Sequence, residues 1–336
     1  MSNKENISLV VIGAGRMGGR WADVIEKMPD ATVAAVFDTN KAKARALADK
    51  TGAAVLTSMN QLAERPDIKA ALVLVPHAFL AQVSQKALEA GKHVLVEKPT
   101  AITPSELEPV LEIAKKNQLC FMPGFSSRWH YHTRLAKELV EKGEIGDLLF
   151  VRARYGFGGR KGYENEWRQK KTLSGGGELI DQGIHLIDLA RWFLGDFSDV
   201  KGSIQHAFWK SDVEDNAFLI LKTPKGQTAF LHASWTQWKP LFSFEIFGSG
   251  GYILLEGLGG KYGKANEELI LGKRKEDFSN PSDTEQVFRQ SSPLNPFKEE
   301  LNEFLSAIRE NRDPNPSGRD ALGALNIVSK MYGEQN

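Results

Sequence analysis

Short aliphatic runs at residues 9–12, 32–37, 53–55, 70–75 and 93–96 punctuate the first third of the chain, and hardly a polar residue interrupts them. Runs of this kind predict strands buried on both faces. Between them lie residues 20–28, 41–51, 59–64 and 78–90, whose lengths suit crossover helices. The pattern predicts an α/β Rossmann domain, a doubly wound parallel sheet over residues 1–124.

Beyond residue 124 the period changes. Residues 148–155, 200–209, 217–221, 227–235 and 242–247 alternate apolar with polar positions, and Pro224-Lys225-Gly226 marks a hairpin between two of them. These residues predict a mostly antiparallel sheet. A helix is expected over residues 177–194, and another from Ser317, whose hydroxyl is placed to cap it with Asp320 three residues on. Residues 125–336 therefore read as a second, α+β domain for substrate binding and oligomerisation, with its C-terminal helices candidates to pack back on the first.

Bulk properties narrow the function. The length of 336 residues favours two cores. Lys plus Arg number 43 against 42 Asp plus Glu, so no global field draws nucleic acid or an anionic membrane. No run approaches the roughly 20 apolar residues of a membrane span, and the polar start Ser2-Asn3-Lys4-Glu5-Asn6 passes straight into a strand, so a cytoplasmic protein is expected. The single Cys120 sits in the apolar run Leu119-Cys120-Phe121-Met122 and reads as a core residue rather than a nucleophile.

Candidate chemistry begins at Gly13-Ala14-Gly15-Arg16-Met17-Gly18, which follows the first strand and opens a helix. Glycines at this spacing permit a tight turn (Gly13), backbone approach to a pyrophosphate (Gly15) and close helix packing (Gly18), while the helix N-terminus offers unpaired N–H groups to the negative charge. Asp38 ends the second strand 20 residues after Gly18 and is placed to accept hydrogen bonds from the adenosine ribose. Its charge repels a 2′-phosphate, which favours NAD; Lys41 and Lys43 keep NADP as the second option.

Two later segments supply proton chemistry. Glu97-Lys98-Pro99 ends a buried strand at the edge where open α/β sheets bind ligands, and Pro99 holds Lys98 away from helical conformation. Lys98 there can polarise a substrate oxygen; the alternative is a structural salt bridge. In the stretch from Ser174 to Asp188, three glycines precede Asp181, His185 and Asp188, which share one helical face. His185 is the natural acceptor of a hydroxyl proton near neutral pH. A satisfied core histidine and a metal site are the competing readings, and the latter lacks a third ligand nearby. The pair His130 and His132 in Arg128-Trp129-His130-Tyr131-His132 is a weaker metal candidate, so no metal is expected.

Together these segments, with Gly143-Glu144-Ile145-Gly146, resemble the glucose-fructose oxidoreductase and inositol dehydrogenase (GFO/IDH/MocA) family over essentially the whole chain. The resemblance implies a Rossmann domain joined to an α+β domain with a large open sheet used for homodimer or homotetramer contacts. It implies oxidoreduction of a sugar-type secondary alcohol bound between the domains, with Lys98 on the reacting hydroxyl, His185 as acid/base and Asp181 holding substrate. Cofactor contacts then fall to Gly13, Gly15, Arg16, Met17, Gly18, Asp38, Pro76, His77, Glu97 and Lys98, although His77 stands where the family frequently has Asn.

The loop over residues 156–174 carries Arg160, Lys161, Arg168, Lys170 and Lys171 against Glu164 and Glu166, interleaved with Tyr163 and Trp167. It suggests an anionic sugar derivative, a nucleotide sugar among them; a solvated basic loop is the alternative. Arg128, Tyr163 and Trp167 join Lys98, Asp181 and His185 as candidate substrate contacts. The rival functions are an NAD-dependent glycosidase using transient oxidation and a non-catalytic NAD-binding sensor.

Overall fold

A computed structural model of the protein describes residues 5–258, 267–289 and 295–333; Ser2, Asn3 and Lys4 of the polar start lie outside them. The chain forms two compact units, the first built from the chain up to Phe125 with Phe297–Leu322, the second from Ser126–Pro296 with the chain from Gly323. Among the described residues no helix is long and apolar enough to cross a membrane.

The first unit holds strands β1 (Ile7–Ile12), β2 (Ala31–Phe37), β3 (Ala54–Val55), β4 (Ala70–Val73), β5 (His93–Glu97) and β6 (Phe121–Gly124), with helices α1 (Arg16–Ile25), α2 (Lys41–Thr51), α3 (His77–Glu89) and α4 (Pro104–Lys116) between them. Its sheet is parallel throughout, in the order β3-β2-β1-β4-β5-β6. The strand order reverses between β1 and β4, the switch point at which such sheets bind ligands. The apolar runs are explained by burial: every residue of β4 and β6 is buried, and only Ser8 of β1 is partly exposed.

Two expected elements shrink. Residues 59–64 form no crossover helix but a single 3-10 turn, Met59–Leu62, closed by a Ser58/Gln61 capping box. Pro66 explains the stop, since it disfavours helical conformation at Arg65. The strand expected over residues 53–55 pairs only at Ala54 and Val55. Cys120 is buried just before β6, and burial pushes its thiol up to about 12, as befits a core residue.

The second unit contains β7 (Leu148–Gly156), β8 (Asp199–Gln205), β9 (Asn216–Lys222), β10 (Thr228–Ser234), β11 (Leu241–Gly248), β12 (Gly251–Glu256), β13 (Glu268–Lys273) and β14 (Gln286–Arg289) in one sheet of order β14-β13-β12-β11-β7-β10-β9-β8. Only β7 and β10 pair in parallel. The period-two pattern maps onto one buried face: Val151, Ala153 and Tyr155 of β7 point inward with Leu231 and Ala233 of β10. Phe150, Ile220 and Phe230 remain exposed on the other face. Helices α5 (Tyr131–Glu141), the one-turn α6 (Lys171–Ser174) and α7 (Ile184–Leu194) belong to this unit. The helix expected over residues 177–194 is not uniform, because a π-helical turn, Leu179–Gly183, leads into α7.

The chain closes with α8 (Pro296–Glu310) and α9 (Gly318–Gly333). Phe297 meets Trp21 of α1 edge to face at 5.2 Å, and Arg309 pairs with Asp30 at 2.9 Å, completing the first unit. One turn along, Glu300 is fully buried with no hydrogen-bond partner on either carboxyl oxygen among the described residues. Burial, with the Glu97 charge adding to it, holds Glu300 well above the usual carboxyl range. In the first turn of α9, Asp320 accepts hydrogen bonds from both the amide and the hydroxyl of Ser317 at 2.8 Å, so Asp320 is the acceptor and Ser317 the donor.

Candidate functional site

In the first unit, the three glycines of the turn after β1 have different reasons. Gly13 has φ +107° and a Cβ there would lie 2.5 Å from the Leu74 carbonyl oxygen; a Cβ on Gly18 would lie 2.3 Å from that of Gly13. Both are required by the fold. Gly15 has φ −80°, open to any residue, and a Cβ on it would meet nothing within 4 Å. No internal contact explains that glycine, and the space beside it is open.

Gly15 also caps α1 without a side-chain hydrogen bond, and no acidic residue occupies the first turn. The amides there face outward at the positive end of the helix dipole, as a pyrophosphate requires. Arg16 is exposed and Met17 half-buried beside them. Asp38 follows β2 and is half-buried; its Oδ2 accepts from the Ala14 amide and its Oδ1 from the Asn40 amide, each at 2.7 Å. These bonds anchor the carboxylate to the glycine turn and leave lone pairs for ribose hydroxyls. The residues present thus fit a dinucleotide.

Neighbouring strands deliver the rest to the same sheet edge. Pro76 caps α3 after β4, and His77, the first residue of α3, is buried. Glu97 ends β5 and Lys98 follows it, both half-buried, and Trp21 donates its indole N–H to Glu97 at 3.5 Å. Thr100, fully buried, donates its amide to the Glu97 carbonyl at 3.1 Å and is held at φ +76°. A β-branched residue in that region is strained, and the surrounding packing must maintain it.

In the second unit, the π-helical turn and α7 present Asp181, His185 and Asp188, all buried. Arg168 donates to Asp181 at 3.1 Å while its guanidinium lies over the Trp167 ring at 4.5 Å. The His185 ring lies 6.4 Å from that of Tyr155. Asp188 is engaged elsewhere: Arg128 donates to it through two nitrogens, at 2.8 and 2.6 Å, and both side chains are enclosed. Arg128, expected to contact substrate, instead ties the residues before α5 to α7.

Residues 7–125 match the model of the oxidoreductase family with an NAD-binding Rossmann fold, and residues 133–254 match the GFO/IDH/MocA C-terminal domain. The chain belongs to the GFO/IDH/MocA family. It is 30% identical over 239 residues, 70% of its length and 71% of the relative's, to a dTDP-3,4-didehydro-2,6-dideoxy-alpha-D-glucose 3-reductase of Saccharopolyspora spinosa. It is 34% identical to the D-glucoside 3-dehydrogenase of Escherichia coli, over 61% of this chain and 58% of that one. Its fold is that of a levoglucosan dehydrogenase solved with NADH and levoglucosan, at a TM-score of 0.87, 22% identity and coverage of 99% and 98%.

Several features of this GFO/IDH/MocA chain were hidden in its sequence. Two of the glycines before Asp181 are explained by internal packing: a Cβ on Gly176 would lie 2.0 Å from the Tyr332 hydroxyl, and one on Gly177 only 1.8 Å from the Glu214 carbonyl oxygen. The buried Glu214 carboxylate accepts from the Gly177 amide at 3.0 Å, the Leu179 amide at 3.1 Å and the Tyr332 hydroxyl at 2.8 Å. It anchors the start of the turn bearing Asp181, although burial pushes its carboxyl above the ordinary value. Only the acidic type of Glu214 was visible in sequence, 37 residues from Gly177.

The basic loop also differs from its reading. Tyr163, expected as a substrate contact, is fully buried among Val213, Trp235, Phe157 and Trp209, so it supports the loop from beneath. Arg160 pairs with Glu166, and Arg168 with Asp181, which removes two of the five charges from the account. Lys161, Lys170 and Lys171 are exposed, while Trp167 is half-buried. His130 and His132 both face Glu267, at 2.8 and 3.6 Å, and no group of three metal-binding side chains occurs among the described residues.

Proposed function

We propose that this GFO/IDH/MocA oxidoreductase interconverts a secondary alcohol of a sugar-like substrate and the corresponding ketone, using NAD. The observation that carries the reading is Gly15, whose missing side chain serves no internal packing and which follows Ala14, the residue whose amide donates to the Asp38 carboxylate. Gly13 to Gly18 receive the pyrophosphate, Asp38 holds the ribose, and Pro76, His77 and Glu97 line the same sheet edge. The carboxylate at Asp38 supports NAD over NADP, because a 2′-phosphate would bring like charges together.

When bound, NAD supplies the hydride acceptor. His185 takes the hydroxyl proton as the C–H bond breaks, and returns it in the reverse direction. Lys98 is the group of the first unit that donates to a substrate oxygen and favours its alkoxide character. Asp181, oriented by Arg168, holds a neighbouring hydroxyl. The exposed sheet face with Phe150, Ile220 and Phe230 supports self-association of this chain, readable by sedimentation.

A scan of sugars, inositols, sugar acids and nucleotide sugars for NADH production, run in parallel with NADP, tests the reading. Turnover of at least one sugar-type alcohol is expected, faster with NAD. Tight NADH binding without turnover anywhere on the panel would replace an enzyme by a cofactor-binding sensor.

A further inference from the structure

Glu214, just ahead of β9, grips a segment of the second unit that lies 35 to 37 residues earlier in the chain. Its carboxylate accepts from the amides of Gly177 at 3.0 Å and Leu179 at 3.1 Å, and its main-chain carbonyl accepts from the Glu178 amide between them at 3.1 Å. The open amides at the start of a helix are ordinarily met by a short polar side chain of the same segment or by water. Here the partner is a buried acid from elsewhere in the fold, and the absence of a side chain at Gly177 lets it come close. Burial disfavours its charge.

Two hydrogen bonds carry this grip to Asp181. The Gly177 amide donates to Glu214, and the Gly177 carbonyl accepts from the Asp181 amide at 3.0 Å. Asp181 stands in the middle of Leu179–Gly183, the one π-helical turn among the described residues. Such a turn takes up one residue more than an α-turn, so the residues on its two sides are rotated by about 100° from where an uninterrupted α-helix would hold them. The turn thereby sets the direction of Asp181 relative to His185, the second residue of α7. Helix α7 has an anchor of its own in the enclosed pair of Arg128 with Asp188.

We propose that Glu214 is a positioning residue for the reaction, imposing through the amides of Gly177 and Leu179 the π-helical turn that aims Asp181 at the substrate, while α7 carries His185 independently. The proposal rests on the functional reading above, which gives Asp181 a substrate hydroxyl and His185 the proton. Substrate binding and proton transfer are then separable. Glu214→Gln keeps the length of the side chain and one acceptor oxygen, but turns an NH2 group toward one of the two amides. The turn loses half of its hold, and Asp181 loses its direction.

The test measures kcat and KM of Glu214→Gln, Asp181→Ala and the double variant on the best substrate of the panel. KM should rise about three- to tenfold in Glu214→Gln, with kcat within about twofold of wild type, and roughly ten- to hundredfold in Asp181→Ala. In the double variant KM should match that of Asp181→Ala within about twofold, because Glu214 acts through Asp181. An unchanged KM, effects that multiply in the double variant, or a kcat loss as large as the KM rise overturns the proposal. Should Glu214→Gln fail to fold, Tyr332→Phe takes its place: it removes the hydroxyl that donates to the same carboxylate at 2.8 Å, and should raise KM about twofold with the same lack of additivity. Crystal structures of wild type and variant give a readout that needs no turnover. Residues 179–183 should lose the π-helical turn or Asp181 should move, with His185 in place; an unmoved Asp181 overturns the proposal. If no compound on the panel is oxidised, the functional reading fails, and the crystallographic comparison alone decides whether Glu214 positions Asp181.

Discussion

Replacing Gly15 by alanine separates cofactor binding from folding. Its φ of −80° is accessible to alanine and the added Cβ meets no protein atom within 4 Å, so no steric cost arises inside the fold. Alanine is a poorer helix cap than glycine, by up to about 1 kcal/mol, but it lowers unfolded-chain entropy by about 0.4–1 kcal/mol. These nearly cancel, and Tm should move by no more than about 2 °C. Cofactor binding should suffer, because the methyl group occupies the space through which a pyrophosphate reaches the α1 amides. Losing one charge-assisted hydrogen bond, at about 1.5–3 kcal/mol, weakens NADH binding roughly ten- to hundredfold. Gly18→Ala is the counterpart: its Cβ would sit 2.3 Å from a carbonyl oxygen, and overpacking of that kind costs about 1–3 kcal/mol. Melting curves and NADH fluorescence titrations of both variants suffice. Unchanged NADH affinity in Gly15→Ala, or a Tm loss matching that of Gly18→Ala, would refute the assignment of this turn.

His185→Ala should lower turnover by roughly a hundredfold or more while NADH affinity, read by fluorescence, stays close to wild type. Asp38→Ala should narrow the preference for NAD over NADP in steady-state assays, since the repulsive carboxylate is gone; an unaltered ratio would remove Asp38 from cofactor choice. Glu214→Ala strips partners from two amides and a buried hydroxyl and should cost on the order of 3 kcal/mol or more in urea unfolding, against about 1 kcal/mol for Tyr332→Phe. Glu300 is held well above its unfolded value, so between the unfolded pKa and the folded one the native state retains a proton that the unfolded chain has lost. Stability from this group therefore declines as pH rises through that window, by at most about 1.4 kcal/mol per pH unit. Melting curves of Glu300→Gln should show its advantage over wild type growing from pH 5 to pH 8 and vanishing near pH 4.

The architecture was legible because burial writes itself into pattern: uninterrupted aliphatic strands in one unit, alternating strands in the other. The glycine turn was legible for the same reason, since φ +107° at Gly13 admits little else. Partners far apart in sequence were not. Arg128 and Tyr163 have the right chemistry for substrate contacts, but Asp188 claims the first and an aromatic cluster encloses the second, 60 residues away in the case of Asp188. Arg160 and Arg168 carry positive charge in the sequence, but Glu166 and Asp181 balance it in the fold. Gly176 and Gly177 make room for Tyr332 and Glu214 respectively, and Tyr332 lies 118 residues beyond Glu214.

Because Phe297–Leu322 belongs to the same compact unit as the chain up to Phe125, roughly 170 residues beyond Phe125 must be synthesised before Trp21 meets Phe297. At about 5–20 residues per second, the ribosome takes on the order of 10–30 seconds to deliver them. For that interval the nascent nucleotide-binding sheet waits with Trp21 uncovered and without the helix that seals it, and a stop codon anywhere before α8 would strand it there.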